Sequence, residues 1–216
     1  MIKAVLWDFG GVLTTSPFEG FKKFERENNL PEDFIRMINA TNPDTNAWAR
    51  FERSEITIKE FDREFEQEAR AAGHALRGLP VLGLLSGDLR PEMVEALRQC
   101  NEHFRTGCLT NNVNVGAEQG MKLSEERGAA FKEVLALFDV VVESSKTGVR
   151  KPDQRFYEMA CQMLKIHPTE AVYLDDLGIN LKPARAMGMS TIKVTEPRQA
   201  LEELGALLGL SFSSRK

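Results

Sequence analysis

The feature that most constrains this chain is a series of five short apolar segments, most of which are separated by stretches with helical periodicity. Each segment is rich in apolar residues and bounded by glycine or polar residues, the pattern of strands buried on both faces. Strands that alternate with helices predict an α/β fold, a Rossmann-like parallel sheet core with helices on both faces. The five predicted strands are IKAVLW (2–7), TGCLT (106–110), FDVVVES (138–144), AVYLDD (171–176) and STIKV (190–194).

Three segments after residue 89 have the 3.6-residue period of amphipathic helices. RPEMVEALRQC (90–100) has a proline in its first turn, and INLKPARAMG (179–188) ends at Gly188, a residue that often follows a helix. PDQRFYEMACQMLKI (152–166) predicts a helix with one apolar face. The residues expected on that face are Phe156, Met159, Ala160, Met163 and Leu164.

Residues 16–89 break the alternation, because they contain several amphipathic helical patterns and no convincing strand. In TIKEFDREFEQEARAAG (57–73), Thr57 and Glu60 form a capping box and Gly73 ends the helix. The apolar stripe of this helix consists of Ile58, Phe61, Phe65 and Ala69, and predicts burial.

We therefore divide the chain into a discontinuous core, residues 1–15 and 90–216, and a helical insertion, residues 16–89. The insertion is rich in aromatic residues, which either form an apolar surface for a ligand or pack as its own core. These aromatic residues are Phe18, Phe21, Phe24, Trp48 and Phe51.

Composition excludes several classes of function. The formal net charge is −4, from 28 basic and 32 acidic residues, and no basic run stands out, so nucleic acid is not expected as a partner. No apolar stretch reaches the roughly 18 residues of a membrane span, and the run in MIKAVLWDFGG is too short for a signal peptide. The three cysteines form no CxxC pair, which fits a reducing, cytoplasmic location. The sequence does not indicate an oligomeric state.

Polar side chains follow four of the predicted strands, where ligands bind in open parallel sheets. Individually, each has an ordinary structural interpretation: a turn or cap residue for Asp8, a loop for Asp175 and Asp176, and a solvated surface lysine for Lys151. The ordered combination is more specific, because the fold would bring these distant residues together. The residues are Asp8, Thr110, Asn111, Asn112, Lys151, Asp175 and Asp176.

The chemistry of this set points to phosphoryl transfer. Three carboxylates close together repel one another unless a cation lies among them, and Mg²⁺ prefers carboxylate, carbonyl, water and phosphate oxygens. A hydroxyl, an amide and a lysine suit the oxygens of a phosphoryl group, and an aspartate can attack phosphorus. Such reactions depend mainly on positioning and charge neutralisation.

Four segments resemble the ordered motifs of the haloacid dehalogenase (HAD) superfamily, and the resemblance covers nearly the whole chain. They are DFGGVL (8–13), LTNN (109–112), VRKPD (149–153) and YLDDLGIN (173–180). The helical insertion resembles the family's subclass I cap, which in the family closes over the substrate.

Within the superfamily, three segments look most like the amino-terminal phosphatase-type domain of soluble epoxide hydrolase. They are equally similar to the related domain fused to some acyl-CoA dehydrogenases. The segments are AWARFERSEIT (47–57), ESSKTGVRKPD (143–153) and YLDDLGINLKPARAMGM (173–189).

The resemblance implies a role for each matching residue. On the phosphoryl side, Asp8 would be the nucleophile, Thr110 and Asn111 would hold the phosphoryl oxygens, and Lys151 would neutralise them and orient Asp8. On the metal side, the expected Mg²⁺ ligands are Asp8, the Gly10 carbonyl, Asp176 and, directly or through water, Asp175, with Asn180 in the outer shell.

The chain departs from the family pattern at Gly10, where most phosphatases of the superfamily carry a second aspartate that moves protons. We predict a Mg²⁺-dependent phosphatase for a small phosphomonoester, with lipid and acyl phosphates as candidates. One alternative is a catalytically weak or inactive binding domain, which the loss of this acid favours. A 2-haloacid dehalogenase is disfavoured, since its chemistry gains nothing from the Asp175–Asp176 pair.

Overall fold

The structure is a computed structural model that describes residues 1–85, 87–112 and 125–212. Its centre is a five-stranded parallel sheet in the order β3-β2-β1-β4-β5. The predicted α/β fold is confirmed, and each strand begins and ends within two residues of its predicted bounds. The strands are β1 (Ala4–Trp7), β2 (Arg105–Thr110), β3 (Val140–Glu143), β4 (Ala171–Asp175) and β5 (Ser190–Lys193).

Helices connect the strands, and a group of helices follows β1. Short 3₁₀ turns occur at Gly83–Leu85 and Pro168–Glu170. The helices are α1 (Pro17–Glu27), α2 (Phe34–Ala40), α3 (Ala47–Glu52), α4 (Ile58–Ala71), α5 (Gly78–Leu82), α6 (Pro91–Asn101), α7 (Glu125–Leu135), α8 (Ser144–Thr147), α9 (Gln154–Leu164), α10 (Gly178–Ala186) and α11 (Pro197–Leu208).

Strand β1 lies at the centre of the sheet, between β2 and β4. Trp7, its last residue, is level with Cys108 of β2 and with Leu174 of β4. The chain builds the sheet outward through β2 and β3 and then returns to the other side of β1. This reversal of strand order leaves a crevice at the carboxyl ends of the central strands.

Both faces of the sheet are buried, as the continuous apolar character of the strands predicts. Val5 and Trp7 of β1 pack into one hydrophobic cluster with residues of α6 and α11. Ala4 and Leu6 point the other way, into a second cluster with residues of α9 and α10. The alternation along β1 follows from the two-residue period of a strand.

The buried face of helix α9 differs in part from the predicted one. Met163, expected in the core, is 54% exposed, whereas Tyr157 and Cys161 are buried. Phe156, Ala160 and Leu164 are buried as predicted. Apolar residues of this helix also lie outside its buried face. Periodicity alone therefore predicted a face that is shifted by about one residue position from the buried one.

In its described residues, the insertion contains five helices, α1 to α5, and has its own hydrophobic cluster. In α4 the capping box of Thr57 and Glu60 is present, and Gly73 follows the helix with a φ of +95°. Phe61, Phe65 and Ala69 are fully buried, while Ile58 is partly buried against the same cluster. The local signals therefore predicted this helix and its buried stripe correctly.

Where the insertion meets the core, the chain segments that enter and leave the insertion pair with each other. Thr14 and Leu89 form an antiparallel bridge, and the Arg90 amide donates to the Leu13 carbonyl at 2.8 Å. Of the aromatic residues in the insertion, Phe21 and Phe51 are nearly fully buried. Phe18, Phe24 and Trp48 pack partly buried against the same cluster, so their surroundings are those of a packed core.

None of the described helices is both long and apolar enough to cross a bilayer. The three cysteines, Cys100, Cys108 and Cys161, are free and buried. The boundary between core and insertion stays a prediction.

Candidate active site

Asp8 lies at the carboxyl end of β1, where the strand turns into the Gly10–Gly11 segment. Its amide donates to the Leu174 carbonyl at 2.8 Å, which fixes its backbone to β4. Its Oδ1 accepts from the Phe9 amide at 2.7 Å, and the residue is 7% exposed. Burial raises the pKa of Asp8 well above its usual value, Asp175 and Asp176 add to that rise, and Lys151 opposes it.

Lys151 brings a positive charge into this site and is 1% exposed. Its Nζ lies 2.8 Å from Asp8 Oδ1 and 3.0 Å from Asp175 Oδ2. Burial alone lowers the pKa of Lys151, but these two carboxylates raise it by more, so the side chain is an ammonium. The alternative of a solvated surface lysine is therefore wrong.

Asn111 holds the backbone of Lys151. Its Oδ1 accepts from the Lys151 amide at 2.9 Å, and its Nδ2 donates to the Lys151 carbonyl at 3.1 Å. Both polar ends of the side chain are thus engaged in joining the end of β2 to the lysine segment. A contact of Asn111 with a phosphoryl group stays a prediction. Since the side chain is engaged, the backbone of Asn111 is the part available for that contact.

Thr110, the last residue of β2, is half-buried. No hydrogen bond to its hydroxyl occurs in the described parts of the chain, so the hydroxyl can bind a ligand oxygen. Asn112 instead links β2 to the segment after β3, because its Nδ2 donates to Glu143 Oε1 at 2.8 Å and its Oδ1 accepts from the Ser145 hydroxyl at 2.8 Å.

Asp175 is fully buried, and both of its oxygens are occupied by donors. Oδ1 accepts from the Leu177 amide at 2.8 Å, and Asn180 Nδ2 lies 3.1 Å from both oxygens. Oδ2 also accepts from the Tyr173 hydroxyl and from Lys151. Because both of its oxygens already accept hydrogen bonds, Asp175 orients Lys151. This geometry favours an interaction of Asp175 with the metal through water over direct ligation. The outer position predicted for Asn180 is compatible with this geometry.

Two tyrosines were missed by the sequence reasoning. The Tyr157 hydroxyl donates to the Asn180 carbonyl at 2.6 Å, and its ring meets that of Tyr173 edge-on, with centroids 5.5 Å apart. Burial raises the pKa of both phenols, so both remain hydrogen-bond donors. Tyr173 could have been found, since it lies two residues before Asp175 on the same face of β4. Tyr157 could not, because its position depends on the rotation of α9.

Asp176 packs directly against Gly11. A Cβ on Gly11 would lie 2.3 Å from Asp176 Oδ2, and Gly11 has a φ of +77°, so both contact and conformation require glycine. Burial, and next the charge of Asp175, raise the pKa of Asp176 to about 6. Among the described residues, no side chain donates a hydrogen bond to this carboxylate.

The site suits a divalent cation. Carboxylate oxygens of Asp8, Asp175 and Asp176 lie within 4.8 Å of one another, the single group of this kind in the described residues. Burial raises the pKa values of Asp8 and Asp176, and the neighbouring carboxylates add to that rise, since one ammonium, that of Lys151, cannot neutralise three carboxylates. A hard cation such as Mg²⁺ fits this oxygen donor set. Participation of the Gly10 carbonyl stays a prediction.

Comparison with known proteins agrees with the resemblance seen in the motifs. Residues 2–188 match the model of the haloacid dehalogenase-like hydrolase family. The chain belongs to this family of hydrolases, and the predicted superfamily is confirmed.

The curated relatives include both groups that the sequence pointed to. The chain is 36% identical to mouse (Mus musculus) acyl-CoA dehydrogenase family member 10 over 96% of its own length. It is 29% identical to mouse bifunctional epoxide hydrolase 2 over 98% of its length. It spans only 19% of the first relative and 40% of the second.

A third relative is matched along nearly its whole length. Phosphatase MT3486 of Mycobacterium tuberculosis is 28% identical, with 96% of this chain and 97% of the relative covered. Among solved structures, the HAD family enzyme bt-2542 of Bacteroides thetaiotaomicron, in complex with magnesium and inorganic phosphate, has a TM-score of 0.60 at 20% identity. That match covers 89% of this chain and 94% of the other, and shows a shared fold.

Proposed function

We propose that this chain is a Mg²⁺-dependent phosphatase that hydrolyses a small phosphomonoester through an aspartyl-phosphate on Asp8. The observation that carries the proposal is the contact of Lys151 Nζ with both Asp8 and Asp175 at the end of the central strand. This contact fixes a carboxylate and a positive charge beside a cluster of acids, which is what phosphoryl transfer to an aspartate requires.

The geometry of Asp8 assigns different tasks to its two oxygens. Oδ1 is held by Lys151 and by the Phe9 amide. Oδ2 has no donor among the described residues and is the oxygen available to attack. A bond forms between Oδ2 and phosphorus as the bond from phosphorus to the leaving oxygen breaks. Water then attacks the same phosphorus, releasing inorganic phosphate and restoring the carboxylate.

The metal side of the proposal follows from the charges of the site. Asp8, Asp176 and the Gly10 carbonyl would hold Mg²⁺, with Asp175 behind them, and the ion would neutralise the phosphoryl oxygens. Lys151 keeps Asp8 in place and offers its charge to the same group. The Thr110 hydroxyl and the Asn111 backbone bind the remaining phosphoryl oxygens.

The relatives support this assignment. Phosphatase MT3486 matches the chain along nearly the whole length of both, and the bt-2542 enzyme of the same fold was solved in complex with magnesium and inorganic phosphate. The insertion would act as a cap that excludes water and selects the substrate. Small phosphate esters, including lipid and acyl phosphates, are the substrate class proposed.

A second candidate function is favoured by one observation. Gly10 lacks the proton-transferring acid that most phosphatases of the superfamily carry, and this loss suits a binding or regulatory domain without turnover. The intact Asp8–Lys151–Asp175 arrangement argues against that candidate, because a pure binding domain has no use for a buried nucleophile. The crowding of acids likewise disfavours a dehalogenase.

The decisive experiment is a panel of phosphomonoesters assayed with Mg²⁺ and with chelator, on the parent chain and on Asp8→Asn. We expect metal-dependent turnover in the parent and only background in the variant, because an amide cannot form the acyl phosphate. Asp44→Asn, at an exposed position of the insertion, is the matched control and should behave as the parent. Equal turnover in Asp8→Asn and the parent would rule out the nucleophile.

A further inference from the structure

A buried ion pair joins the insertion to the residue next to the lysine of the site. Arg150 Nε lies 2.6 Å from Glu52 Oε2, and the two side chains are 21% and 9% exposed. Glu52 is the last residue of α3, in the insertion, and Arg150 immediately precedes Lys151 in the core. Burial raises the pKa of Glu52, and the charge of Arg150 opposes that rise.

Both members of the pair are held by further contacts. The Trp48 indole Nε1 donates to Glu52 Oε1 at 2.9 Å, which ties the carboxylate to the aromatic cluster of the insertion. Arg150 Nη1 donates to the Pro43 carbonyl at 2.9 Å. Arg150 therefore contacts the insertion at two separate points, by an ion pair with Glu52 and by a hydrogen bond to Pro43.

A third contact joins the same two segments. The Ser54 hydroxyl, two residues beyond Glu52, donates to the Ser145 carbonyl at 3.0 Å. Residues 43–54 of the insertion thus lie along residues 145–150 of the core. Two of these three contacts are made by Arg150, the residue before Lys151.

On its other side the same segment is anchored to the core. Asn111 bonds both the amide and the carbonyl of Lys151, and Lys151 Nζ reaches Asp8 and Asp175. The segment at 150–151 therefore lies between two anchors, the end of β2 and helix α3. A displacement of the insertion pulls on the residue bonded covalently to the lysine.

This pair differs from the ordinary ion pairs of the molecule. Arg155 and Asp153, for example, are sequence neighbours with side chains 68% and 35% exposed, where solvent weakens the attraction. Glu52 and Arg150 are far apart in sequence and largely withdrawn from water. If one partner is removed, the other charge is left largely buried and without compensation. For the same reason, moving the two segments apart costs free energy unless both charged groups become hydrated.

We propose that Arg150 is a positioning residue that couples the placement of the helical insertion to Lys151. With Glu52 and Pro43 in contact, Arg150 holds its segment so that Lys151 reaches Asp8. When the insertion departs, that restraint is lost and the lysine is less well placed. The catalytic part of the inference rests on the proposed function, in which Lys151 serves phosphoryl transfer.

Kinetics of four variants test the coupling, with para-nitrophenyl phosphate and Mg²⁺ as probe: Arg150→Gln, Glu52→Gln, the double variant and Arg150→Lys. We expect each neutral single variant to lower kcat at least about tenfold, as small misplacements can, with KM changed less than about threefold. The double variant should be no worse than the more damaging single variant. Arg150→Lys should recover part of kcat, since lysine keeps the charge and loses the second contact.

Arg155→Gln is the matched control, an exposed arginine of the same region whose ion pair is with its near neighbour Asp153. It should stay within about twofold of the parent in kcat, since exposed pairs contribute little. A kcat within twofold of the parent in Arg150→Gln, together with a lower melting temperature, would assign Arg150 a structural role only and overturn the proposal.

Hydrogen exchange gives a readout that does not depend on activity. In Arg150→Gln and in Glu52→Gln, backbone amides of residues 145–153 and of α3 should exchange faster together, and in Arg155→Gln they should not. Faster exchange confined to the mutated segment would contradict the coupling even if the variants are too unstable for kinetics. If the parent itself shows no turnover, the proposed function fails, while the exchange result still decides the coupling.

Discussion

At the scale of single residues, two adjacent glycines are under different constraints. Gly11 has a φ of +77° and lies against the Asp176 carboxylate, so only glycine fits there. Among the described residues, and apart from its two chain neighbours, no atom lies within 4 Å of the position where a Cβ of Gly10 would be, and its backbone is not left-handed. The missing side chain at residue 10 is therefore a chemical difference and not a steric requirement.

Gly11→Ala should destabilise the chain, whereas Gly10→Ala should be nearly neutral. A left-handed backbone costs a non-glycine residue about 1–3 kcal/mol, and the new methyl group would also displace Asp176. Urea unfolding of the two variants beside the parent measures the difference. Similar midpoints for both variants would contradict the packing of Gly11 against Asp176.

Because Gly10 carries no acid, we also expect the rate of hydrolysis to depend steeply on the leaving group. A positioned general acid contributes about 10²–10⁴-fold to a rate, and its absence matters most when the leaving group is a simple alkoxide. In a series of phosphate esters, kcat/KM should fall steeply as the pKa of the leaving alcohol rises. Aryl and acyl phosphates should be the best substrates.

Gly10→Asp should flatten that series, because the open space at residue 10 accepts a side chain that can protonate the leaving oxygen. Gly10→Asn has nearly the same size without the acid and is the matched control. If the parent already gives a flat series, another group supplies the proton and this interpretation of Gly10 is wrong.

At the scale of elements, local signals decided some helices and packing decided others. The start of α4 was predicted from Thr57 and Glu60, which satisfy each other's backbone amides as a capping box. The face of α9 was predicted only in part, because Tyr157 is buried and Met163 is exposed. A cap depends on four consecutive residues, whereas a buried face depends on what packs against the helix.

Thr57→Ala should lower the free energy of unfolding by about 1 kcal/mol, the usual contribution of a helix N-cap. The Thr57 hydroxyl accepts from the Glu60 amide, and its loss leaves that amide without its cap. Thr57→Ser keeps the hydroxyl and should stay close to the parent. Chemical denaturation compares the three chains, and equal stability of the alanine and serine variants would show that the cap contributes nothing.

At the scale of the whole molecule, the site is a junction of elements distant in sequence. Asp8 follows β1, Asn111 follows β2, and Asp175 ends β4, and the order of the strands brings the three together. Lys151 joins them from the segment before α9. Because a ligand at this junction contacts several elements, its binding should stabilise the entire fold.

Mg²⁺ should raise the melting temperature, and Asp176→Ala should remove most of that gain. A ligand that binds only the folded chain stabilises it by mass action, by about 2.7 kcal/mol at one hundred times its Kd. Melting curves with Mg²⁺ and with chelator measure the shift in the parent, in Asp176→Ala and in Asp44→Ala as an exposed control. A parent whose curve does not respond to Mg²⁺ would contradict the metal site.

The sequence by itself determined the strands, their alternation with helices, the helical insertion and the polar residues at the strand ends. These features depend on periodicity, glycine positions and capping residues, which act over a few neighbouring positions. The expectation that Asp8, Lys151 and Asp175 meet followed from the general geometry of parallel sheets, and the contacts at 2.8 Å and 3.0 Å agree with it.

Only the tertiary structure decided how the individual atoms of the site are used. Tyr173 and Asn180 occupy the oxygens of Asp175, Asn111 serves the backbone of Lys151, and Glu52 pairs with Arg150. No short segment contains both partners of the Asn111 and Glu52 contacts, and their distances depend on helix rotation and on the placement of the insertion. Long-range packing sets both, so a pattern that repeats every two or 3.6 residues carries no information about them.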